Sequence, residues 1–218
     1  MTLSAMRLRF TSCQRALRRS WPALLFALVL SGCASTPAPT THQYTLPQHV
    51  PVSPKLVSPN APLAGPSPSR VLMMPVQLAG QLQVNGLIFQ TSPIEITEAR
   101  NNLWADALSN QLDRALYQAV SYRLHTASVI SGDSSDVPAY YIALQVNQFQ
   151  GRYDGKAIVS GMYRILDADR RLIKQHAFTY EQPLIQNGYG ALVDALDKGV
   201  QCLADDVAVQ LDALPPRQ

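Results

Sequence analysis

YYIALQVNQF (residues 140–149) is the stretch that decides the fold. Its apolar side chains alternate with neighbours that are expected to be more exposed to solvent. This is the period-2 pattern of a strand with one face on a core. At Phe149 the alternation changes phase, and this change predicts a bulge or a change of neighbouring strand. The alternating apolar positions are Tyr140, Ile142, Leu144 and Val146.

Two turn signals extend this strand into a meander. Asp154-Gly155 is a strong turn signal and leads into a strand over residues 157–166. Asp167-Ala168-Asp169-Arg170 turns the chain again, into a strand over 172–180. The pattern therefore predicts three consecutive antiparallel strands.

Helical apolar patterns flank the meander on both sides. The first carries a one-faced stripe from Leu103 to Val120, and we expect its helix to begin after Asn101 or Asn102, either of which can cap it. The second follows Asn187-Gly188 and ends at Pro215-Pro216. The meander therefore lies between two long helices.

The fold class follows from this order of elements. Residues 70–76 are typical of a buried strand, and 87–91 and 94–97 of two short extended pieces. We predict an α/β (α+β-like) single domain over 70–214, with a mixed, largely antiparallel sheet of about five to six strands covered by two main helices. Residues 215–218 form a tail.

The start of the chain has the layout of an export signal. Residues 1–32 carry five arginines and no acid, and a short apolar run at 21–30 precedes Ser31-Gly32-Cys33. That run is about half of what a membrane-spanning helix needs. Leu30-Ser31-Gly32-Cys33 resembles the lipobox of bacterial lipoproteins. We expect a lipoprotein signal peptide at 1–32 and a lipid-carrying N-terminus at Cys33.

Processing changes what the composition implies. Removal of residues 1–32 takes away five of 18 cations and none of 15 acids, which leaves a net charge of −2. The basic isoelectric point belongs to the precursor. The mature chain therefore lacks the excess of basic residues that is typical of a nucleic-acid-binding protein. Cys33 is lipidated and Cys13 is lost with the signal, so Cys202 stands alone; we expect a buried free thiol on the second helix.

Proline dominates the segment after the lipidated cysteine. Nine of the 16 prolines fall between Pro37 and Pro68, a composition that favours extended polyproline II over a packed core. Residues 33–69 are therefore predicted to be the lipidated cysteine and a tether. Tyr44-Thr45-Leu46-Pro47 interrupts this tether with a short apolar patch.

No constellation of catalytic or metal-binding residues is found. Gly151 to Ala157 superficially resembles a phosphate-binding loop, but it is one residue short and leads into a strand. The four histidines show no ligand spacing. We therefore expect no catalytic residues, no metal and no cofactor, and predict that the protein is not an enzyme.

Three segments together resemble the PqiC (YmbA) family of ABC-type transport auxiliary lipoproteins. They are Tyr44–Pro47, Asn101–Ala105, and Gln150–Lys156 with the following Ile158–Gly161. The resemblance runs from residue 44 to about 210 and departs in a longer proline-rich insertion between Pro47 and Arg70. Its structural motif residues are Tyr44, Leu46, Asn102, Trp104, Gly151, Asp154 and Gly155.

The resemblance implies a fold, a place and partners. It implies a first strand at residues 44–47 docked on the domain. It implies a lipoprotein on the periplasmic face of the outer membrane, anchored by acyl chains, that forms a homo-oligomeric ring. The implied partners are an MCE-domain periplasmic protein and an inner-membrane protein, in a system that moves lipids between membranes. The absence of an aspartate after Cys33 also favours the outer membrane.

A candidate pore or partner surface lies between Leu78 and Phe89. This segment carries no charge, and its apolar residues either face a partner or pack under the sheet. Arg152 and Tyr153 are further candidates, in a structural or interface role. The apolar residues of the segment are Leu78, Leu82, Val84, Leu87, Ile88 and Phe89.

Two other functions compete with the transport hypothesis. One is a monomeric envelope lipoprotein that binds a soluble ligand or scaffolds other envelope proteins. The other is an envelope hydrolase, which would need a nucleophile and a base such as Ser160 and His176.

Overall fold

The structure, a computed structural model, describes residues 39–48, 69–130, 132 and 137–215. The described residues from Thr40 onward form one compact unit. The predicted signal peptide at 1–32, Cys33 and the remaining tether residues lie outside the described residues.

A nine-stranded sheet and two helices make up the described part of the chain. It also contains a short 3-10 turn, Gly80–Leu82. The strands are β1 His42–Tyr44, β2 Ser69–Met73, β3 Gln77–Leu78, β4 Gly86–Ser92, β5 Glu95–Trp104, β6 Ala127–Ile130, β7 Tyr140–Arg152, β8 Lys156–Asp167 and β9 Leu172–Pro183. The helices are α1 Leu108–Arg123 and α2 Tyr189–Asp212.

Strand β7 is the axis of the sheet. Along one edge it pairs antiparallel with β8, from Tyr140↔Asp167 to Gly151↔Ala157, and β8 pairs antiparallel with β9. Along its other edge it pairs in turn with β2, β3 and β4, all parallel. Strand β5 is antiparallel to β4, β1 is parallel to β5, and β6 is parallel to β2.

The predicted mixed sheet with two helices is confirmed, but with nine strands instead of five to six. The additional short strands β1, β3 and β6 contain two to four residues. Such pieces are too short to show a period-2 pattern, and they join the sheet only because β5, β7 and β2 offer free edges. The first of them lies at His42–Tyr44, earlier than the stretch 44–47 that the sequence indicated.

One continuous core joins the sheet to the helices. Helix α2 packs on β8 and β9, and α1 packs on α2 and β6. The helices bury the one-faced stripes that the sequence predicts. Their most deeply buried side chains are Leu112, Leu116, Val120, Leu196, Val200 and Leu203.

The expected start of the first helix is wrong. Residues 101–104 belong to β5, and α1 begins at Leu108. Pairing on both sides holds this stretch extended: the Trp104 N–H donates to the Asn85 carbonyl at 2.7 Å, and Asn102 is paired with His42 of β1. Tertiary pairing therefore overrides the helical reading of Leu103 and Trp104.

Asp212, the last residue of α2, ties this helix to the chain leaving α1. Its carboxylate accepts hydrogen bonds from the Thr126 backbone N–H at 3.0 Å, the Thr126 hydroxyl at 2.7 Å and the His125 N–H at 3.2 Å. Burial raises the pKa of the Asp212 carboxyl, but these hydrogen bonds outweigh it and hold the pKa below its ordinary value.

Asp212→Asn is expected to lower the free energy of unfolding at pH 7 by about 1 kcal/mol, because a charged acceptor of several hydrogen bonds is lost. A carboxyl whose pKa is lowered by folding contributes stability above the pKa of the unfolded state, and that contribution is lost as the pH falls through the folded-state pKa. The difference between variant and parent should therefore shrink below about pH 4. Urea unfolding at pH 7 and pH 3 measures it, with the exposed Asp194→Asn as the matched control. An equal difference at both pH values would contradict this role of the charge.

Candidate functional site

The segment Leu78–Phe89 is largely a part of the core. Leu82, Leu87 and Ile88 are at most 6% exposed, and Leu78, Val84 and Phe89 are partly buried against the core. This burial favours the second interpretation, packing under the sheet, because β4 lies between β5 and β7 and turns these side chains inward. What stays accessible is a cavity of about 330 Å³ beside the start of α1, lined by Leu78, Leu82, Val84 and Leu108.

Arg152 is the centre of a charge cluster at the β7–β8 turn. Its guanidinium donates to Asp154 Oδ1 at 2.7 Å and to Glu181 Oε1 at 2.8 Å, and Lys156 Nζ donates to Glu181 Oε2 at 2.7 Å. These bonds hold the pKa of both carboxyls below the usual range and raise the pKa of the guanidinium. Gly155, with φ of +79°, closes the turn. The two cations and two carboxylates compensate one another.

Gly151 lets this hairpin pack tightly on β4. A Cβ at this position would lie 2.5 Å from the Phe89 ring and 3.2 Å from a Leu192 methyl group. Only a residue without a side chain allows β4, β7 and α2 to meet here. The structure thus gives Gly151, Arg152 and Asp154 a packing and pairing role within the chain.

The other motif residues attach β1 to the domain. The Tyr44 hydroxyl donates to Asn102 Oδ1 at 3.1 Å. The buried Leu46 donates its N–H to Gln111 Oε1 at 2.9 Å. Trp104 is 7% exposed, with its ring centroid 5.9 Å from that of Phe149. These contacts fix the first strand on β5 and on the first turn of α1.

Three turns gather at one end of the sheet, which we call the loop end: residues 93–94, 153–155 and 184–188. The first two come together because β4 and β7 are parallel, with Gln90 beside Arg152. The third joins them because Lys156 pairs with Pro183 and the Leu184 N–H donates to the Gly155 carbonyl at 2.9 Å.

Each turn of the loop end carries an exposed apolar side chain. Ile94 is 98% exposed, Tyr153 is 53% exposed and Ile185 is 82% exposed. Of these residues only Tyr153 was a candidate from the sequence. Single isoleucines beside Pro93 or in a loop carry no periodic signal, and only the sheet topology brings them to one end. A cavity of about 380 Å³ opens there, lined by Phe89, Leu184, Tyr189 and Leu192 with Arg152 and Tyr153.

The residues considered for hydrolysis are not assembled into a site. Ser160 donates to Gln148 Oε1 at 2.8 Å. His176 stacks on Tyr163 and lies 3.6 Å from Asp206. Ser160 pairs with Thr179, three residues along β9 from His176, which corresponds to about 10 Å.

Cys202 is half-buried, not buried as expected, and accepts a hydrogen bond from Gln182 at 3.6 Å.

Among residues 39–48, 69–130, 132 and 137–215, no group of three or more His, Cys, Asp or Glu side chains could hold a metal ion. The helices of the same part of the chain include none long and apolar enough to cross a membrane.

Residues 44–208 match the family described as the ABC-type transport auxiliary lipoprotein component. The chain belongs to this family. It is 31% identical over 201 residues to the intermembrane transport lipoprotein PqiC of Escherichia coli strain K12, a match that covers 90% of this chain and 100% of that protein. The same values hold for PqiC of Shigella flexneri.

Solved structures agree with this assignment. A crystal structure of an uncharacterized protein has a TM-score of 0.66 at 25% identity and covers 79% of this chain and 99% of its own. Protein XCC0632 from Xanthomonas campestris has a TM-score of 0.60 at 17% identity, with 77% and 94% covered, a likeness that concerns the fold alone. Membership of the family makes this chain an envelope lipoprotein and an auxiliary component of a transport system.

Proposed function

We propose that this protein is the outer-membrane lipoprotein subunit of an MCE-type intermembrane lipid transport system. It docks the periplasmic lipid conduit to the outer membrane as a non-catalytic ring component, held by acyl chains on Cys33. Its partners are an MCE-domain periplasmic protein and an inner-membrane protein. The observation that carries the proposal is the match to PqiC over that relative's whole length, together with a family match over residues 44–208 that includes all three motif segments.

The physical demands of lipid transport support this role. An acyl chain crossing water exposes methylenes at about 0.8 kcal/mol each, so it needs a shielded route. A subunit that joins such a route to a membrane needs an anchor, a rigid domain and a surface for self-association. The continuous hydrophobic core and the long antiparallel pairing of β7 with β8 make this domain rigid.

Strand β9 supports self-association. This strand of 12 residues pairs with β8 along one edge, and no strand in the described part of the chain pairs with its other edge. A long edge is a ready template for pairing or close packing with another copy. Repetition of one head-to-tail contact closes a ring when the rotation between copies is a whole fraction of a turn.

Purification of the mature, C-terminally tagged lipoprotein from its own envelope tests the proposal. We expect native mass spectrometry to show several copies per particle and an MCE-domain protein bound to them. A particle with one copy and no MCE-domain protein would contradict the proposal and support the alternative, a monomeric lipoprotein that binds a soluble ligand.

A further inference from the structure

We infer that the loop end is the membrane-facing end of the domain, and that Ile94, Tyr153 and Ile185 enter the headgroup region of a phospholipid bilayer. The inference rests on the proposed function in one respect, the acyl anchor at Cys33. It adds an orientation and the residues that make the contact.

The exposed side chains are of the right kind and in the right place. Ile94 and Ile185 expose 98% and 82% of their surface at the tips of separate turns. Single exposed apolar residues are ordinary, but these two share one end with Tyr153, and tyrosine is enriched at the level of lipid headgroups. Strands lie about 4.8 Å apart, so the three turns form a row roughly 20 Å wide.

The direction of β1 leads back from the domain toward this end. Strand β1 is parallel to β5, and β5 runs away from the turn at 93–94. Followed backward from His42, the chain therefore heads for the loop end. The level of His42 corresponds to Leu87 on β4, and the stretch from Leu87 to Ser92 spans about 17 Å.

The length of chain before β1 suits the same end. Cys33 lies nine residues before His42, and an extended chain of this length reaches at most about 30 Å. An acylated Cys33 therefore reaches the level of the turns with roughly 10 Å to spare. The opposite end, where Tyr140 begins β7, is about 30 Å from the level of His42 in the other direction. That end also exposes Val137 and Leu172, but the chain from Cys33 enters pointing away from it.

Glu95 beside Ile94 is an exposed carboxylate at the loop end, whereas the other carboxylates there are paired. The carboxylates Asp154 and Glu181 are each bonded to Arg152, and Glu181 also to Lys156. Their compensated charge lowers the repulsion that free carboxylates would feel near anionic lipid.

Tryptophan placed at the two ends tests the orientation. Two variants of the mature acylated protein carry tryptophan at the loop end, Ile94→Trp and Ile185→Trp. The matched control is Leu172→Trp, beside the β8–β9 turn at the opposite end. Each is reconstituted into phosphatidylethanolamine–phosphatidylglycerol vesicles that carry quencher-labelled lipids. Trp104 is buried and contributes a constant background fluorescence, which is measured in the parent protein.

We expect tryptophan at 94 and 185 to lose fluorescence to shallow quenchers, because side chains at such a face enter about 5–10 Å into the boundary. Tryptophan at 172 should keep the emission it has in solution. Quenching at 172 instead, or at neither end, in protein that floats with the vesicles would overturn the orientation and leave the anchor standing. Protein that does not float with the vesicles would instead count against the acylated Cys33 of the proposed function.

Discussion

Replacing Cys33 with serine is expected to move the protein from the membrane fraction to the soluble fraction. Each buried methylene of an acyl chain contributes about 0.8 kcal/mol to membrane binding, and two or more chains make that binding stable where one is marginal. Among the described residues, no helix has the length and apolar character needed to span a bilayer. The three apolar residues of the loop end are too few to hold the domain by themselves.

Fractionation of cells that carry Cys33→Ser measures this effect, together with the size of the accumulated chain. Cys202→Ser is the matched control, because it removes a half-buried thiol within the domain and should leave the protein in the membrane fraction. Retention of Cys33→Ser in the membrane fraction after a carbonate wash would show that another segment anchors the chain.

Gly161→Ala is expected to destabilise the domain by roughly 3 kcal/mol or more. A Cβ at this position of β8 would lie 2.0 Å from the Gln145 carbonyl oxygen and 2.9 Å from the Phe178 ring. The phenylalanine can turn aside, but the carbonyl belongs to the backbone of the central strand. Relief of the clash therefore requires that β7 and β8 separate beside the bulge in their pairing.

Urea unfolding of the signal-free Cys33→Ser protein measures the loss. Gly190→Ala at the start of α2 is the control, since a Cβ there meets no atom within 4 Å; it should be neutral or stabilising by a few tenths of a kcal/mol. Equal stability of Gly161→Ala and the parent would show that the sheet lacks the close β7–β8 contact described above.

Local pattern predicted the part of the fold that is built from neighbouring segments. The alternation from Tyr140 gives β7, and the phase change at Phe149 is confirmed as a bulge between Val146 and Gln148 in the register with β8. At the same point β7 changes neighbours, from β3 to β4. The long α2 follows from its apolar period because one face of it covers the meander.

Long-range pairing accounts for what the sequence did not predict. Trp104 fits a helical stripe as well as a strand, and only the contacts of β5 with β1 and β4 decide between them. Strands of two to four residues, such as β3 and β1, have no pattern of their own. For Leu82 and Leu87 the sequence leaves open whether they face a partner or pack under the sheet, because a turn-rich stretch gives no sign of which side chains face inward.

The loop end shows the same limit for the functional site. Ile94 and Ile185 are 91 positions apart in sequence, and the pairing of β4 with β7 and of β8 with β9 brings their turns together. The ion pair between Arg152 and Asp154 can be predicted from the sequence, since both residues lie in one turn. The ion pair between Arg152 and Glu181 cannot, because Glu181 is brought there by β9.

Intact mass spectrometry of the mature protein extracted from membranes tests the central claim most directly. We expect a chain that begins at Cys33 and carries a diacylglyceryl group on its sulfur and an acyl group on its new amine. A mature chain that begins at another residue, or one that begins at Cys33 without acyl groups, would contradict it.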